Sequence, residues 1–546
     1  MPRKISGTDS VPLTARIKSR IRLPLMILVG GMILYSAVIL SVVRPSFPTD
    51  VDSARYLMLC RNIISGDGYM DDYKPWPVPH MKFPPVLPCL LAVTEWFFPG
   101  NIVSLKLTVA LLGLASLIVA FLLFRYILGE LLASIAVVTL AIQFSFLLRA
   151  QRIMSDVPYT LFSMLALLLV FTRFREERPG IWFDIGVGLA VAVSILTRSI
   201  GIALPPAIVG AALLKPGIHR KGRLITIVLV ASIISGVGWE VHNTLAADKF
   251  VPVYPTLLVY KDSNSAGAGL ANASDILKRV EQNFEFHYEH LLRVALPNVS
   301  QIPYLLSVFS LLAVFGWLVR LIRKRSVLEF YLLIYMLVLL VWPWAVERFL
   351  TPVVPLFLLY FIDGLRRLTG LIYRGFERLI ALLKAGARLP SRRRKALPNP
   401  IALVIIVLIF VVSLIVPGSL LFSRQSRERF NRPPPDFPEF LSAVNWIARH
   451  TPEDAVVLTE RAVACNLISD RKSFTARDVR ASGMLREAVS ENNLFIIHST
   501  RGDFRTASPL VASVLGKTEG HWRVVFRSGS TLVIAQNGAE VIQGES

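Results

Sequence analysis

The feature that most limits how this chain folds is a set of long apolar blocks. Residues 23–43 read LPLMILVGGMILYSAVILSVV, and residues 401–422 read IALVIIVLIFVVSLIVPGSLLF. A helix needs about 20 apolar residues to cross the hydrocarbon core of a bilayer. Both blocks have that length. The composition agrees: 54% of residues are hydrophobic, only 18% are charged, and mean hydropathy is +0.57. The first block is too long for a signal-peptide core, and no small-residue cleavage site closes it. The sequence therefore predicts an α-helical polytopic membrane protein.

The formal net charge is +22. A nucleic-acid binder would gather such charge into one basic face with interleaved aromatics. Here it lies in short clusters between apolar blocks, as the positive-inside rule requires, so no nucleic-acid partner is expected. Read with that rule, the basic start of the chain, residues 1–22, is cytoplasmic. Alternating blocks then place most dense basic clusters on that same side, including residues 363–400, with about eleven transmembrane helices in all. The transmembrane domain spans residues 23–423, with external loops at 44–101 and 240–300. Helices five and six form a hairpin across Thr197–Gly201, and Gly and Pro leave their ends undefined. After RPPPDFP (432–438), which reads as a stiff linker, composition changes. PEFLSAVNWIARH reads as a helix, and DAVVLT, NLFIIH, WRVVF and TLVIAQ read as strands. Residues 424–546 are thus expected to form a small external α/β domain. Cys60, Cys89 and Cys465 have neither CxxC spacing nor an even count, so neither a disulfide nor a metal site is expected of them.

Three external places carry chemistry-bearing residues. In FPTDVDSARYLMLCRNIISGDGY (47–69), Tyr56, Leu59, Cys60 and Ile63 share one helical face, which suggests an amphipathic helix along the membrane surface. Asp52 stands at its start. Asp50 and Asp52 are equally the residue type that caps such a helix. In HMKFPPVLPCLLAV (80–93), Lys82 precedes Pro84 and Pro85, whose fixed φ would hold it rigidly. A lysine there can grip a phosphate, or simply snorkel to the interface. His80 is a further candidate in the same segment. RIMSDVPY (152–159) offers Asp156, and VERFLTPVVP (346–355) offers Glu347 and Arg348, which either pair with each other or leave Arg348 to bind phosphate. Glycosyl transfer needs this combination of a carboxylate to activate an acceptor and cations to stabilise a phosphate leaving group.

In order and topology, TDVDSARYL with SGDGY, HMKFPPVLP, RIMSDVPY and ERFLTPVVP together resemble the C-type membrane glycosyltransferases. The nearest branches are the bacterial protein O-mannosyltransferase-like and lipid A aminoarabinose transferase-like enzymes. The resemblance covers residues 20–365. It implies an inverting transferase that takes a hexose or pentose from a polyprenyl-phosphate carrier at the periplasmic face of a bacterial inner membrane. The acceptor would be a lipid, glycan or protein. It assigns the catalytic acids to Asp52, followed by Tyr56, and Asp156, and contact with the carrier phosphate to Lys82 and Arg348. Many relatives have Asp-Glu where this chain has Asp52-Ser53; Asp50 is the candidate replacement. Two separate Asp residues form no diagnostic metal cluster, so the sequence leaves a divalent cation open.

Two other readings remain at this stage. A flippase or transporter of a lipid-linked saccharide would carry ionisable or broken-helix sites near the membrane midplane, whereas most blocks here are clean inside. A non-catalytic relative is compatible with the missing second acid at Ser53.

Overall fold

The computed structural model describes residues 13–246, 258–262, 265–295, 303–383, 404–405, 408, 415–475, 493–499 and 522–542. The basic stretch at 384–400 and most of the expected last span at 401–422 lie outside them. The helices are α1 (Leu13–Val42), α2 (Val51–Ser65), α3 (Val86–Phe97), α4 (Ile102–Leu128), α5 (Glu130–Ala141), α6 (Phe144–Ala150), α7 (Asp156–Arg173), α8 (Ile181–Thr197), α9 (Leu204–Leu214) and α10 (Lys221–Ala246). They continue with α11 (Ala273–Ala295), α12 (Pro303–Arg323), α13 (Val327–Val341), α14 (Val354–Leu383), α15 (Ile415–Phe422), α16 (Arg424–Phe430), α17 (Phe437–His450) and α18 (Ala462–Ser469). Two 3-10 turns, Ser199–Ala203 and Glu347–Val353, lead into α9 and α14.

Among the described residues five helices are long and apolar enough to cross a membrane, which makes the chain a multi-pass membrane protein. A sixth span exists if α5 and α6, bent by 62°, count as one. The expectation of about eleven counts, beyond these, the span at 401–422, which lies largely outside the described residues, and several shorter apolar helices. A helix rises 1.5 Å per residue, so α8 (17 residues) and α13 (15 residues) fall short of a hydrocarbon core about 30 Å thick. The block expected as one span at 131–148 breaks at Gln143, whose extended backbone (φ −67°, ψ 131°) turns the chain.

The bundle packs through small residues and buried ion pairs. At the crossing of α12 and α14, a Cβ on Gly316 would fall on the Tyr360 carbonyl, and one on Gly364 on the Leu312 carbonyl. Only glycine lets two backbones approach so closely. Away from the site described below, arginines meet acids inside the protein. Asp184 is gripped by Arg173 and by Arg223 (2.6 Å), Glu329 by Arg320 (2.8 Å), and Asp363 by Arg366 and Arg367 (2.7 Å each). All three acids are fully buried. A buried acid without its cation would be severely destabilising, which explains why these acids occur near arginines in otherwise apolar blocks.

The segments expected as loops are structured. Helix α2 does not lie along a surface with one face covered: Ala54, Leu57 and Met58 are as buried as Tyr56, Leu59 and Cys60. It packs between α3 and α18. Helix α3 exposes Trp96, Phe97 and Phe98 at its end, the residue types that favour a membrane interface. Within 240–300, α11 follows a hairpin of β3 (Tyr260–Asp262) and β4 (Ser265–Leu270). Its buried Asn283 donates to the Leu340 (2.9 Å) and Trp342 (2.8 Å) carbonyls, closing the end of α13.

The C-terminal residues form a five-stranded mixed sheet of order β6-β5-β7-β9-β8. The strands are β5 (Val456–Leu458), β6 (Lys472–Phe474), β7 (Leu494–Ser499), β8 (Trp522–Ser528) and β9 (Thr531–Gln536). Helix α17 covers it with Phe437, Phe440, Ala443, Val444 and Ile447, a 3.6-residue stripe. The Pro-rich stretch before α17 is pinned at both ends. Asn431 donates to the Val42 carbonyl (2.8 Å), and Asp436 pairs with Arg461 (3.1 Å).

Candidate active site

Four separated segments meet in one cavity lined by Asp52, Tyr56, Lys82, Arg198, Arg348 and Phe349. Asp52 lies in the first turn of α2. The N-cap position is Asp50, and its side chain makes no capping bond. Asp52 instead faces two cations: Lys82 Nζ stands 3.5 Å from Oδ1, and Arg348 Nη2 donates to Oδ2. Burial alone would raise the Asp52 carboxyl, but Lys82, Arg348 and Arg55 outweigh it and hold it well below the usual carboxylate range. Arg348 therefore bridges to Asp52 rather than to its neighbour Glu347. Its 3-10 turn is held by Tyr335, whose hydroxyl donates to the Phe349 carbonyl (2.7 Å).

On the other wall, Asp156 is buried in the first turn of α7 and accepts from Arg198 Nη1. Its second oxygen is buried with no hydrogen-bond partner. Arg198 sits where α8 gives way to the 3-10 turn, on extended backbone (φ −159°, ψ 132°). That sharp joint requires Gly201, because a Cβ there would lie 2.7 Å from the Ile195 nitrogen. Arg198 and Arg348 both lie over the Phe349 ring, at 4.8 and 5.6 Å from its centroid.

Lys82 is positioned by the loop behind it. His80 is almost fully buried, with Nδ1 2.7 Å from Asp71 Oδ1, and the Phe83 N–H donates to its Nε2 at 2.9 Å. Since Nε2 accepts, the ring proton belongs on Nδ1 and is donated to Asp71. Tyr69 donates to the Phe83 carbonyl (2.6 Å), and the Phe83 ring stacks on Tyr56. Asp71 belongs to a short hairpin of β1 (Met70–Asp71) and β2 (Val78–Pro79), and the C-terminal sheet grips its connection. Ser473 N–H donates to the Tyr73 carbonyl (2.7 Å), Lys472 to the Asp72 carbonyl (2.6 Å), and Trp76 packs on Phe474.

Burial pushes the His80 imidazole below its ordinary value, aided by Arg55 and Lys82 and opposed by Asp71. A lowered folded-state pKa means that the unfolded loop takes the proton more readily. The loop order that His80 supplies is therefore complete above about pH 6.5 and lost as pH falls below it. Hydrogen exchange at the Phe83 amide, corrected for its intrinsic rate, should show protection at pH 7.5 that drops by pH 5.5. In His80→Gln that pH step should disappear. A step that survives the substitution would assign it to another group.

Of the residues singled out from sequence, Asp52, Tyr56, Lys82 and Arg348 line one cavity and Asp156 lies immediately behind it. His80 does not line the cavity; it holds the Phe83 amide next to Lys82. Glu347 sits on the turn beside Arg348, half-buried. Asp50 points away from Asp52, into another cleft, and pairs with Arg152 (3.0 Å). Two residues were missed. Arg198 stands at the Thr197–Gly201 turn between two apolar helices, a signal that was available. Arg55, whose Nη2 donates to the Tyr73 hydroxyl (3.3 Å), looks in sequence like any polar residue of a helix. Among the described residues no group of three His, Cys, Asp or Glu side chains is placed to hold a metal ion.

A wide apolar groove of about 760 Å³ adjoins the cavity, lined largely by α8 and α10, with Pro85 and Cys89 from the α3 side. Their linings share no residue but are neighbours in the chain at Pro84–Pro85 and at Leu196–Thr197.

Residues 82–239 match the sequence pattern of the dolichyl-phosphate-mannose-protein mannosyltransferase family. No curated protein sequence matches the chain. Its fold is similar to that of ArnT from Cupriavidus metallidurans, solved bound to undecaprenyl phosphate, with a TM-score of 0.57 and 13% identity. That alignment covers 98% of this chain and 100% of the other. It is also similar to the archaeal oligosaccharyltransferase AglB from Archaeoglobus fulgidus, solved with an inhibitory peptide and a dolichol-phosphate. There the TM-score is 0.54 at 14% identity, over 88% of this chain and 70% of the other. The resemblance carried by the motifs thus holds at the level of architecture: the chain is a multi-pass membrane protein with the fold of the C-type membrane glycosyltransferases.

Proposed function

We propose that this protein transfers a sugar from a polyprenyl-phosphate carrier to an acceptor at the external face of a bacterial inner membrane. The observation that carries the reading is a pair of unlike cavities side by side. One holds Asp52 against Lys82 and Arg348, with Arg198 opposite; the other is an apolar groove of about 760 Å³. A carrier phosphate fits the first and its isoprenoid chain the second. The fold neighbours solved with undecaprenyl phosphate and dolichol-phosphate support the same chemistry.

In this reading the acceptor hydroxyl attacks the anomeric carbon as the bond from that carbon to the phosphate oxygen breaks. Its proton passes to the Asp52 carboxylate, and inversion follows from a single displacement. The leaving polyprenyl phosphate is stabilised by Lys82, Arg198 and Arg348, whose charges already converge before it forms. With those cations shared by the phosphate, Asp52 is relieved of the charges that depress it and becomes a better base. Asp156, buried behind the cavity, holds Arg198 in place. The C-terminal domain, residues 424–546, then lies outside the membrane and clamps the loop that carries Lys82.

The phosphate requirement tests the reading. Purified protein should bind an undecaprenyl monophosphate saturably and the corresponding polyprenol at least tenfold more weakly, since a charge-assisted contact contributes roughly 1.5–3 kcal/mol. Equal binding of the two would mean that the cavity recognises lipid alone.

A further inference from the structure

The first turn of α2 has two sides. Asp52 and Tyr56, four residues apart, face the cavity described above, whereas Asp50 and Ser53, three apart, line a different one. This second cavity, of about 60 Å³, opens into a cleft of about 490 Å³ with which it shares Thr49, Asp50, Arg152 and Arg432.

Its charges are unequal. Lys106 forms the floor, 8% exposed, with Nζ donating to the Arg44 (2.9 Å) and Ser46 (3.0 Å) carbonyls. Arg152 is held by Asp50 at 3.0 Å and remains partly exposed. Arg432 stands exposed at the rim, and its side chain has no hydrogen bond or ion pair among the described residues. Ser53 lines the cavity and is 1% exposed, and its buried hydroxyl has no hydrogen-bond partner among the described residues. Three cations thus surround one carboxylate and one idle hydroxyl. A purely structural Asp50–Arg152 pair accounts for neither Arg432 nor Ser53. The cleft also lies at the end of α1, where Asn431 holds the Val42 carbonyl, and beside the first turns of α4. Two membrane-spanning helices end there, at the depth of polar headgroups.

We infer that this cleft binds the acceptor through an anionic group, a phosphate or carboxylate. Arg152 and Arg432 are its ligands, Ser53 Oγ donates a hydrogen bond, and Asp50 is the internal carboxylate that the anion displaces from Arg152. The inference rests on the transferase reading and adds the chemistry of the acceptor. A helix with its side chains is about 10 Å across, so an acceptor anchored here need only reach round one turn of α2 to bring a hydroxyl to Asp52. Two arginines suit the task because the guanidinium fork matches phosphate and carboxylate oxygens.

The test uses full-length protein carrying Arg348→Gln, the substitution that weakens the carrier site most, so that this site competes little for the probe. The probes are short-chain phosphatidic acid and inorganic phosphate, titrated separately. Saturable binding of phosphatidic acid is expected, weakened about tenfold by Arg432→Gln and strengthened several-fold by Asp50→Asn, which removes the competing carboxylate. Arg432 holds nothing else in place, so its variant remains folded. Inorganic phosphate binding as well as the amphiphile would indicate a soluble anionic acceptor, and preference for the amphiphile a lipid; both support the anion site. No saturable binding of either probe, or binding indifferent to both substitutions, overturns it. Undecaprenyl monophosphate binding, measured in Arg432→Gln and in the unsubstituted protein, should be equal. Its absence from both would remove the transferase reading while leaving the cleft result standing by itself.

Discussion

Asp52→Asn should abolish transfer while leaving the protein folded and able to hold its carrier. The substitution keeps the shape of the side chain and removes its charge. Neither Asp50 nor Asp52 caps α2 through its side chain, so helix capping gives no reason for a loss of stability. The loss of a positioned base costs roughly 100- to 10,000-fold in rate. Carrier binding should move the other way. Asp52 pairs with both Lys82 and Arg348, and a carrier phosphate must compete with it for them. Asn removes the competitor, so affinity for undecaprenyl monophosphate should hold or rise as turnover vanishes. Turnover within a fewfold of the unsubstituted protein would return Asp52 to a structural role.

The second large effect concerns the cations. Arg348→Gln should weaken carrier phosphate binding about 100-fold, because it removes a charged fork and leaves Asp52 facing Lys82 alone. Lys82→Met should weaken it less, about tenfold, since that side chain is 40% exposed and water already screens it. Arg348→Lys should recover only part of the loss, since one ammonium cannot reproduce two parallel hydrogen bonds. The double substitution should cost less than the two singles combined, because both cations serve one phosphate and one carboxylate. Carrier titrations on the four proteins measure this directly. Small and strictly additive effects would mean that no phosphate is bound between them.

Several structural features had no local signature. Nothing in RPPPDFP indicates that its ends are fastened to Val42 and Arg461. Strand β6, Lys472–Phe474, is three residues long with one apolar side chain in its core, too short for an alternating pattern. His80 reads in sequence as a candidate ligand, yet it is a spacer that bonds Asp71 on one side and Phe83 on the other. Asp184 and Glu329 look like isolated interruptions of apolar helices, because their arginines lie on other elements, 9 to 39 residues away, whereas Asp363 has its arginines three and four residues on in the same helix.

By itself the sequence determined the class of molecule and singled out polar residues that the fold gathers at one cavity. Apolar blocks of spanning length leave a helix as the natural way to satisfy the backbone in lipid, and acids or cations kept beside such blocks are costly unless they serve a purpose. Asp52, Lys82, Asp156 and Arg348 were legible on that ground. Only the tertiary structure decided which of them meet. Asp52 and Arg348 are separated by 296 positions, and their contact depends on how α2 and the turn before α14 pack against the rest of the bundle. The same packing sent Asp50, two residues from Asp52, into a different cleft, and brought Arg198 to Asp156 across 42 positions. Periodicity reports which face a residue occupies within its own element; which element that face will meet is set by packing between elements.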